Sequence, residues 1–257
     1  MNANVVVITN NKGGVGKSTT ADALADGLTL KGYKTLLIDL DPQCSLSSGI
    51  PYAAGMPTIY EVLTKQSTAI EAIQQRDDRA DILPASKHLS RLISELVDMG
   101  KEYRLKEVLT PILPCFDYII IDTPPALSIL TVNAMTAAHS IIIPVQADIF
   151  SLQGVGQLIE SVDAIRTYTN PGLKLMGVLL TRHNSRSILT RTMADRAEKA
   201  AESIGTFLYK SIIREAIAVK EAQASNQSLY EYAPDCNPAV DYVNFTSEFL
   251  ERSENHA

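Results

Sequence analysis

The stretch Asn10-Asn11-Lys12-Gly13-Gly14-Val15-Gly16-Lys17-Ser18-Thr19-Thr20 stands between an apolar run, Val5-Val6-Val7-Ile8, and a segment with Ala21, Leu24, Ala25 and Leu28 at helical spacing. A short β-branched run, a glycine-rich turn and an amphipathic start, in that order, predict a strand that turns and feeds a helix. Glycines let successive backbone N–H groups converge on one point with no Cβ in the way, and the helix N-terminus adds partial positive charge there. Lys12, Gly13, Gly14, Val15, Gly16, Lys17, Ser18 and Thr19 therefore form a candidate phosphate cradle. Lys17 is placed to reach β- and γ-phosphate oxygens, and the Ser18 hydroxyl to ligate Mg²⁺. The usual cradle carries glycine where Asn11 stands.

Outward from this stretch, short apolar runs alternate with helical patterns: Thr35 to Ile38, Asp81 to Leu83, Tyr118 to Ile121, Ile141 to Ile143, Leu175 to Leu180 and Phe207 to Ile213. Most are continuous rather than alternating, as expected for strands buried on both faces. Between them Leu152, Val155, Leu158, Ile159, Val162 and Ile165 recur every three or four positions, and similar patterns follow Ser18, Ser128, Ser187 and Asn237. The alternation predicts right-handed β-α-β units and an α/β fold, a doubly wound, mostly parallel sheet flanked by helices. Gly55 and Pro57 mark a loop, and residues 1–257 read as one domain.

Composition narrows the function. Hydrophobic residues are 46% and charged residues 20% of 257, the profile of an ordinary globular chain rather than a disordered tail or a collagen. No apolar run approaches the roughly 18 to 20 residues a bilayer span needs. The N-terminal apolar run is only about five residues and has no charge before it, unlike a signal peptide. Cys44, Cys115 and Cys236 lack metal-ligand spacing, so a reducing cytosol is expected and zinc is not. The net charge of −6 argues against wholesale nucleic-acid coating. Its distribution is uneven: Arg182 to Lys220 holds eight basic against four acidic side chains, and Glu221 to Ala257 seven acids against one base. One basic segment in an acidic chain is compatible with a local anion-binding face.

Two acidic motifs complete the candidate site. Asp39-Leu40-Asp41-Pro42-Gln43 closes one strand, where alternation would place Asp39 and Asp41 on the same side at the end where ligands of open α/β sheets bind. A carboxylate there orients water for in-line attack or holds Mg²⁺ through water. Asp122 ends the apolar run Tyr118 to Ile121 and is followed by Thr123-Pro124-Pro125. Arg182, His183 and Asn184 follow another strand and are candidates to approach a base.

The combination Lys-Gly-Gly-Val-Gly-Lys-Ser, with a lysine at position 12, resembles the deviant Walker A motif of ParA- and MinD-type ATPases. Asp-x-Asp-Pro-Gln looks like that group's switch I, Asp122 like the end of its Walker B strand and Thr123-Pro124-Pro125 like its switch II. Asp122 through Ala134, Ile143 to Ala147, Leu152 to Val155, Gly177 to Thr181 and Ala233-Pro234 resemble ParA/Soj partitioning ATPases in order and spacing, over about residues 4 to 250. The resemblance implies a P-loop ATPase domain using ATP and Mg²⁺, with Lys12, Lys17, Asp41 and Asp39 in catalysis and Ser18, Asp122 and Asp39 around the metal. Asp41 would position the attacking water, Asp39 would support the metal shell, and Lys12 would reach the phosphates of a second copy in an ATP-dependent homodimer. It further implies non-specific DNA binding, a ParB-like activator, and a cytoplasmic, nucleoid-associated protein. Arg186 matches one DNA-binding position; at the second Ala218 stands where arginine is common, with Arg214 and Lys220 flanking it.

Other readings share the scaffold. A positioning switch for a non-DNA cargo would look the same. A MinD-type membrane organiser needs a basic amphipathic tail, whereas Val243, Phe245, Phe249 and Leu250 sit among acids. A nitrogenase-iron-protein relative needs cluster cysteines that the three present do not match. The phosphate loop begins at about residue 10, so operator binding by an added N-terminal helix-turn-helix is not expected.

Overall fold

The computed structural model describes residues 2–48, 55–96, 98–146, 149–183 and 188–254, and of 149–155 and 188–194 the backbone alone. The strands are β1 (Asn4–Ile8), β2 (Thr35–Asp39), β3 (Asp81–Leu83), β4 (Tyr118–Asp122), β5 (Ser140–Gln146), β6 (Lys174–His183) and β7 (Leu208–Arg214). All pairings between them are parallel, in the order β3-β2-β4-β1-β5-β6-β7. Each expected run is thus a strand, and the sheet is doubly wound about β1.

The helices are α1 (Lys17–Leu30), α2 (Ile59–Leu63), α3 (Ala69–Ala72), α4 (Leu89–Glu95), α5 (Arg104–Leu109), α6 (Ile129–Ala137), α7 (Ile149–Tyr168), α8 (Ile188–Ser203), α9 (Ile217–Ala224), α10 (Leu229–Tyr232) and α11 (Asn237–Glu254). The continuous apolar runs have a simple cause. On β1, Val5 and Val7 enter one core with Leu130 and Leu158, while Val6 and Ile8 enter a second core with Leu24, Tyr242 and Phe245. The same split separates Ile119 and Ile121 from Ile120 on β4. Every second residue must be apolar for each face, so both faces together require an unbroken run.

Both sheet edges are closed. At β3, Ile82 exchanges two backbone hydrogen bonds with Gln74, at 2.8 and 2.9 Å. At β7 the work is done by side chains of α11. Glu248 accepts from the N–H groups of Lys210 and Ser211, both at 3.0 Å, and Asp241 accepts from the Arg214 N–H at 2.9 Å. Asp241 and Glu248 are two helical turns apart, so they meet one strand from one helix face. The apolar side of α11 buries Tyr242, Phe245 and Phe249, while Val243 stays 44% exposed.

β6 carries an irregularity: Ile141 and Ile143 of β5 oppose Leu175 and Val178, so one additional residue is accommodated. Gly177 lies there at φ +116, and a Cβ would stand 2.7 Å from both the Phe207 and Tyr209 rings. Gly177→Ala is therefore expected to cost roughly 2–4 kcal/mol, from overpacking plus backbone strain. Urea unfolding should show a lower midpoint at unchanged slope; an unaltered midpoint would mean the aromatic pair gives way freely.

Candidate nucleotide site

The carboxyl ends of β1, β2, β4, β6 and β7 surround a cleft of about 320 Å³. One wall is the phosphate loop (Gly13, Gly14, Gly16–Thr19) with Asp41 and Pro125; the other is Thr181, Arg182, Ile213–Ala216 and the start of α9. Gly14 and Gly16 take φ +75 and +84, and Gly16 caps α1 from this left-handed conformation. Any side chain would be strained there, which is why the loop needs glycine at these two positions.

The loop is braced from behind. Asn10, fully buried, donates to the Pro144 carbonyl at 2.7 Å and accepts the Lys12 N–H at 3.0 Å. The Thr181 hydroxyl lies 2.7 Å from the Val15 carbonyl and 3.1 Å from that of Val145. Thr123, next to Asp122, donates to the Ile8 carbonyl at 3.0 Å. The sequence motifs contain Asn10, Thr123 and Thr181 but do not show these bracing roles, which depend on partners 115 to 166 positions away.

Three carboxylates and one ammonium converge. Lys17 is 6% exposed, with Nζ donating to the Lys12 carbonyl at 2.9 Å. Burial holds its ammonium below the usual lysine range, against the charges of Asp122 and Asp41. Asp122 is fully buried, and neither of its oxygens has a hydrogen-bond donor in bonding geometry. Burial raises its pKa well above the ordinary value; the neighbouring Asp39 adds to this, while the Ser18 hydroxyl and Lys17 oppose it. Asp39, opposite Asp122 across β2 and β4, is likewise raised by burial, to about 6.

Asp39 and Asp41 both lie near Asp122, but Asp41 stands beyond the strand, where alternation does not place it. β2 ends at Asp39, and Asp41 lies in a turn that Asp39 builds. One Asp39 oxygen accepts the Asp41 N–H at 3.0 Å; the other accepts the Ser47 hydroxyl at 2.7 Å and the N–H groups of Leu46 and Ser47. Asp41 repeats the pattern, accepting the Gln43 N–H at 2.9 Å, and it lines the cleft. Short acceptor side chains that bond two residues ahead override strand alternation.

The donor set fits Mg²⁺. Among the described residues no three His, Cys, Asp or Glu side chains form a metal cage, but Mg²⁺ on a phosphate needs only one or two protein oxygens. The hydroxyl of Ser18 could supply one directly, and the bare oxygens of Asp122 could accept from waters of the ion.

The basic candidates divide. Arg214 and Lys220, expected on DNA, lie in the cleft wall. Arg214 is held by Asp241 through Nη2 at 2.6 Å and Nε at 2.9 Å. Arg182 also lines the cleft, whereas Arg186 and Asn184 lie outside the described residues. Arg196 and Lys199 are exposed on α8. The cleft also includes Gln223, whose amide donates to the Thr19 hydroxyl at 3.1 Å, and Tyr242, whose hydroxyl pairs with that of Thr20 at 3.1 Å.

A glycine-rich loop between β1 and α1, flanked by carboxylates at the ends of β2 and β4, defines a P-loop nucleoside triphosphatase. Residues 3–175 match the family described as an AAA domain. The chain is 34% identical over 254 residues to the chromosome partitioning protein ParA of Caulobacter vibrioides, covering 96% of this chain and 94% of that one. It is 34% identical over 248 residues to the sporulation initiation inhibitor protein Soj of Bacillus subtilis, covering 95% and 97%. Among solved structures, cobyrinic acid a,c-diamide synthase of Mycobacterium smegmatis with an ATP analogue and magnesium superposes with TM-score 0.87 and 30% identity, covering 99% and 97% of the two chains. The chain belongs to the ParA/Soj family of P-loop ATPases.

The buried charge of Asp122 has a measurable consequence. A carboxylate whose folded pKa is raised favours the folded state at low pH and loses that contribution as pH rises through the folded pKa. Metal-free Asp122→Asn should therefore melt above the natural protein at pH 8, by about 2–4 °C for each kcal/mol recovered, and the gap should shrink toward pH 4. Calorimetry at both pH values checks this; a gap independent of pH would contradict it.

Proposed function

We propose that the chain is a Mg²⁺-ATPase that hydrolyses ATP to ADP and phosphate and acts as a partitioning switch. ATP joins two copies in a sandwich dimer, the dimer binds DNA non-specifically, and a ParB-like activator discharges it. The observation that carries this reading is the cleft itself: a glycine-rich loop preceded by a second lysine, Lys12, with Asp41 and the buried Lys17 and Asp122, in a chain similar to ParA over nearly its whole length. The proposed setting is cytoplasmic and nucleoid-associated, with residues 1–257 working as one domain.

In this reading the loop N–H groups and Lys17 hold the β- and γ-phosphates, and Lys12 of each copy reaches the other's nucleotide. Mg²⁺ would be held by Ser18 and, through its water shell, by Asp122, where it neutralises phosphate charge. Asp41 orients the attacking water. Asp39 acts through the turn it builds, fixing where Asp41 stands. Arg214 and Lys220 serve the nucleotide cleft, and the DNA-facing charge falls to exposed Arg196 and Lys199 of α8.

A cargo other than DNA is the second reading, since Ala218 of α9 stands where the family often has arginine. The membrane reading is disfavoured: Phe245 and Phe249 are buried in the core, and among the described residues no helix is long and apolar enough to cross a bilayer. An amide synthase, as the Mycobacterium smegmatis structure is named, would turn over ATP only with a carboxylic acceptor.

Asp41→Ala is expected to bind ATP and dimerise while hydrolysis falls at least about 100-fold; unchanged turnover would move the water-positioning role elsewhere. Replacing Lys12 with alanine should leave nucleotide binding but abolish the ATP dimer in sedimentation. An intact dimer would remove the cross-subunit role. Binding to random duplex DNA, measured across a salt series with ATP, ADP or no nucleotide, separates the two cargo readings. ATP-dependent binding that weakens steeply with salt supports DNA partitioning; no binding in any state points to another surface.

A further inference from the structure

Arg182, next to the last residue of β6, has φ +50, a conformation arginine rarely adopts. Its guanidinium makes two sets of contacts in the cleft wall. Nη1 donates to the Gly14 carbonyl at 2.9 Å, and Nε and Nη2 donate to one oxygen of Glu215 at 3.2 and 2.7 Å. Glu215 is in turn fixed by its own N–H on the His183 carbonyl, at 3.2 Å. The Arg182 and Glu215 side chains are 38% and 46% exposed, so their ion pair adds little to stability. Fold stability does not account for holding a strained arginine there.

The geometry of the peptide unit does. In a trans peptide the carbonyl of one residue and the N–H of the next point in opposite directions, and no described peptide is cis. Holding the Gly14 carbonyl against Arg182 therefore turns the Val15 N–H to the other side of the loop. Two neighbouring peptides are held in the same manner. Thr181 takes the Val15 carbonyl, which orients the Gly16 N–H, and Lys17 takes the Lys12 carbonyl, which orients the Gly13 N–H. Gly14, at φ +75 and without a side chain, has little intrinsic resistance to rotation of its peptide. Thr181 is buried and locked by packing, so Arg182 is the long, half-exposed member of the set.

We propose that Arg182 is a positioning residue that keeps the Val15 N–H aimed at the β-phosphate of a bound nucleoside diphosphate or triphosphate, with Glu215 holding the guanidinium off the phosphates. The proposal rests on the nucleotide-site reading above. It links the two walls of the cleft, because the same guanidinium grips the phosphate loop and the turn after β7.

The test compares ADP with AMP, which lacks the β-phosphate, by displacement of a fluorescent ADP analogue from the natural protein, Arg182→Ala and Arg182→Lys, with melting temperature measured alongside. Arg182→Ala should weaken ADP by about 10-fold, equivalent to 1.4 kcal/mol, and change AMP by less than about twofold. Arg182→Lys, which keeps one donor for the Gly14 carbonyl, should recover part of the ADP affinity. Equal losses for ADP and AMP would overturn the proposal by placing Arg182 on the base or ribose. Unchanged ADP affinity, or a fall in melting temperature without an ADP-over-AMP difference, would overturn it as well. Failure of the natural protein to bind ADP would instead reject the nucleotide site itself.

Discussion

An ammonium as deeply buried as that of Lys17 persists only where opposite charge and hydrogen bonds surround it. The rest of the molecule supplies that environment. Register between β2 and β4 sets Asp39 opposite Asp122, and β1, lying beside β4, delivers the loop that curls around them. Asn10, Thr123 and Thr181 brace the loop from three different strand ends. The arrangement is unfavourable without a ligand: two aspartates are raised by burial and Asp122 has bare oxygens. A polyphosphate with its cation would supply the partners that these buried groups lack, which is the physical basis for a site that responds to nucleotide.

The closed sheet edges bear on how two copies can meet. Gln74 occupies the outer hydrogen bonds of β3, and the carboxylates of α11 occupy N–H groups along β7. Joining sheets edge to edge would require breaking these contacts. Association across the open cleft breaks none of them, and Gly13, the neighbour of Lys12, lines that cleft.

How much was legible follows from what each residue depends on. The strands were readable because burial on both faces forces unbroken runs such as Val5 to Ile8. The phosphate loop was readable because its chemistry is local. Short helices between residues 56 and 115 were not drawn from apolar periodicity, being too brief to show it. Their signal is instead the capping boxes Thr58–Glu61 and Thr68–Glu71, in which each threonine and glutamate bond one another's backbone. Arg214 read as a free basic residue because its partner, Asp241, lies 27 positions away and is reached only through packing of α11 on β7. Strand alternation points Asp39 and Asp41 toward one site, but what holds Asp41 near Asp122 is the turn that Asp39 builds by bonding the backbone ahead of it.

The most direct test of this account is calorimetric titration of the protein with ATP, with Mg²⁺ present and with all divalent cations chelated. Bare Asp122 oxygens beside Ser18 predict that Mg²⁺ tightens ATP binding by at least about 10-fold. Equal affinity in both conditions would mean that the buried carboxylates are structural and that the cleft is not built around a magnesium nucleotide.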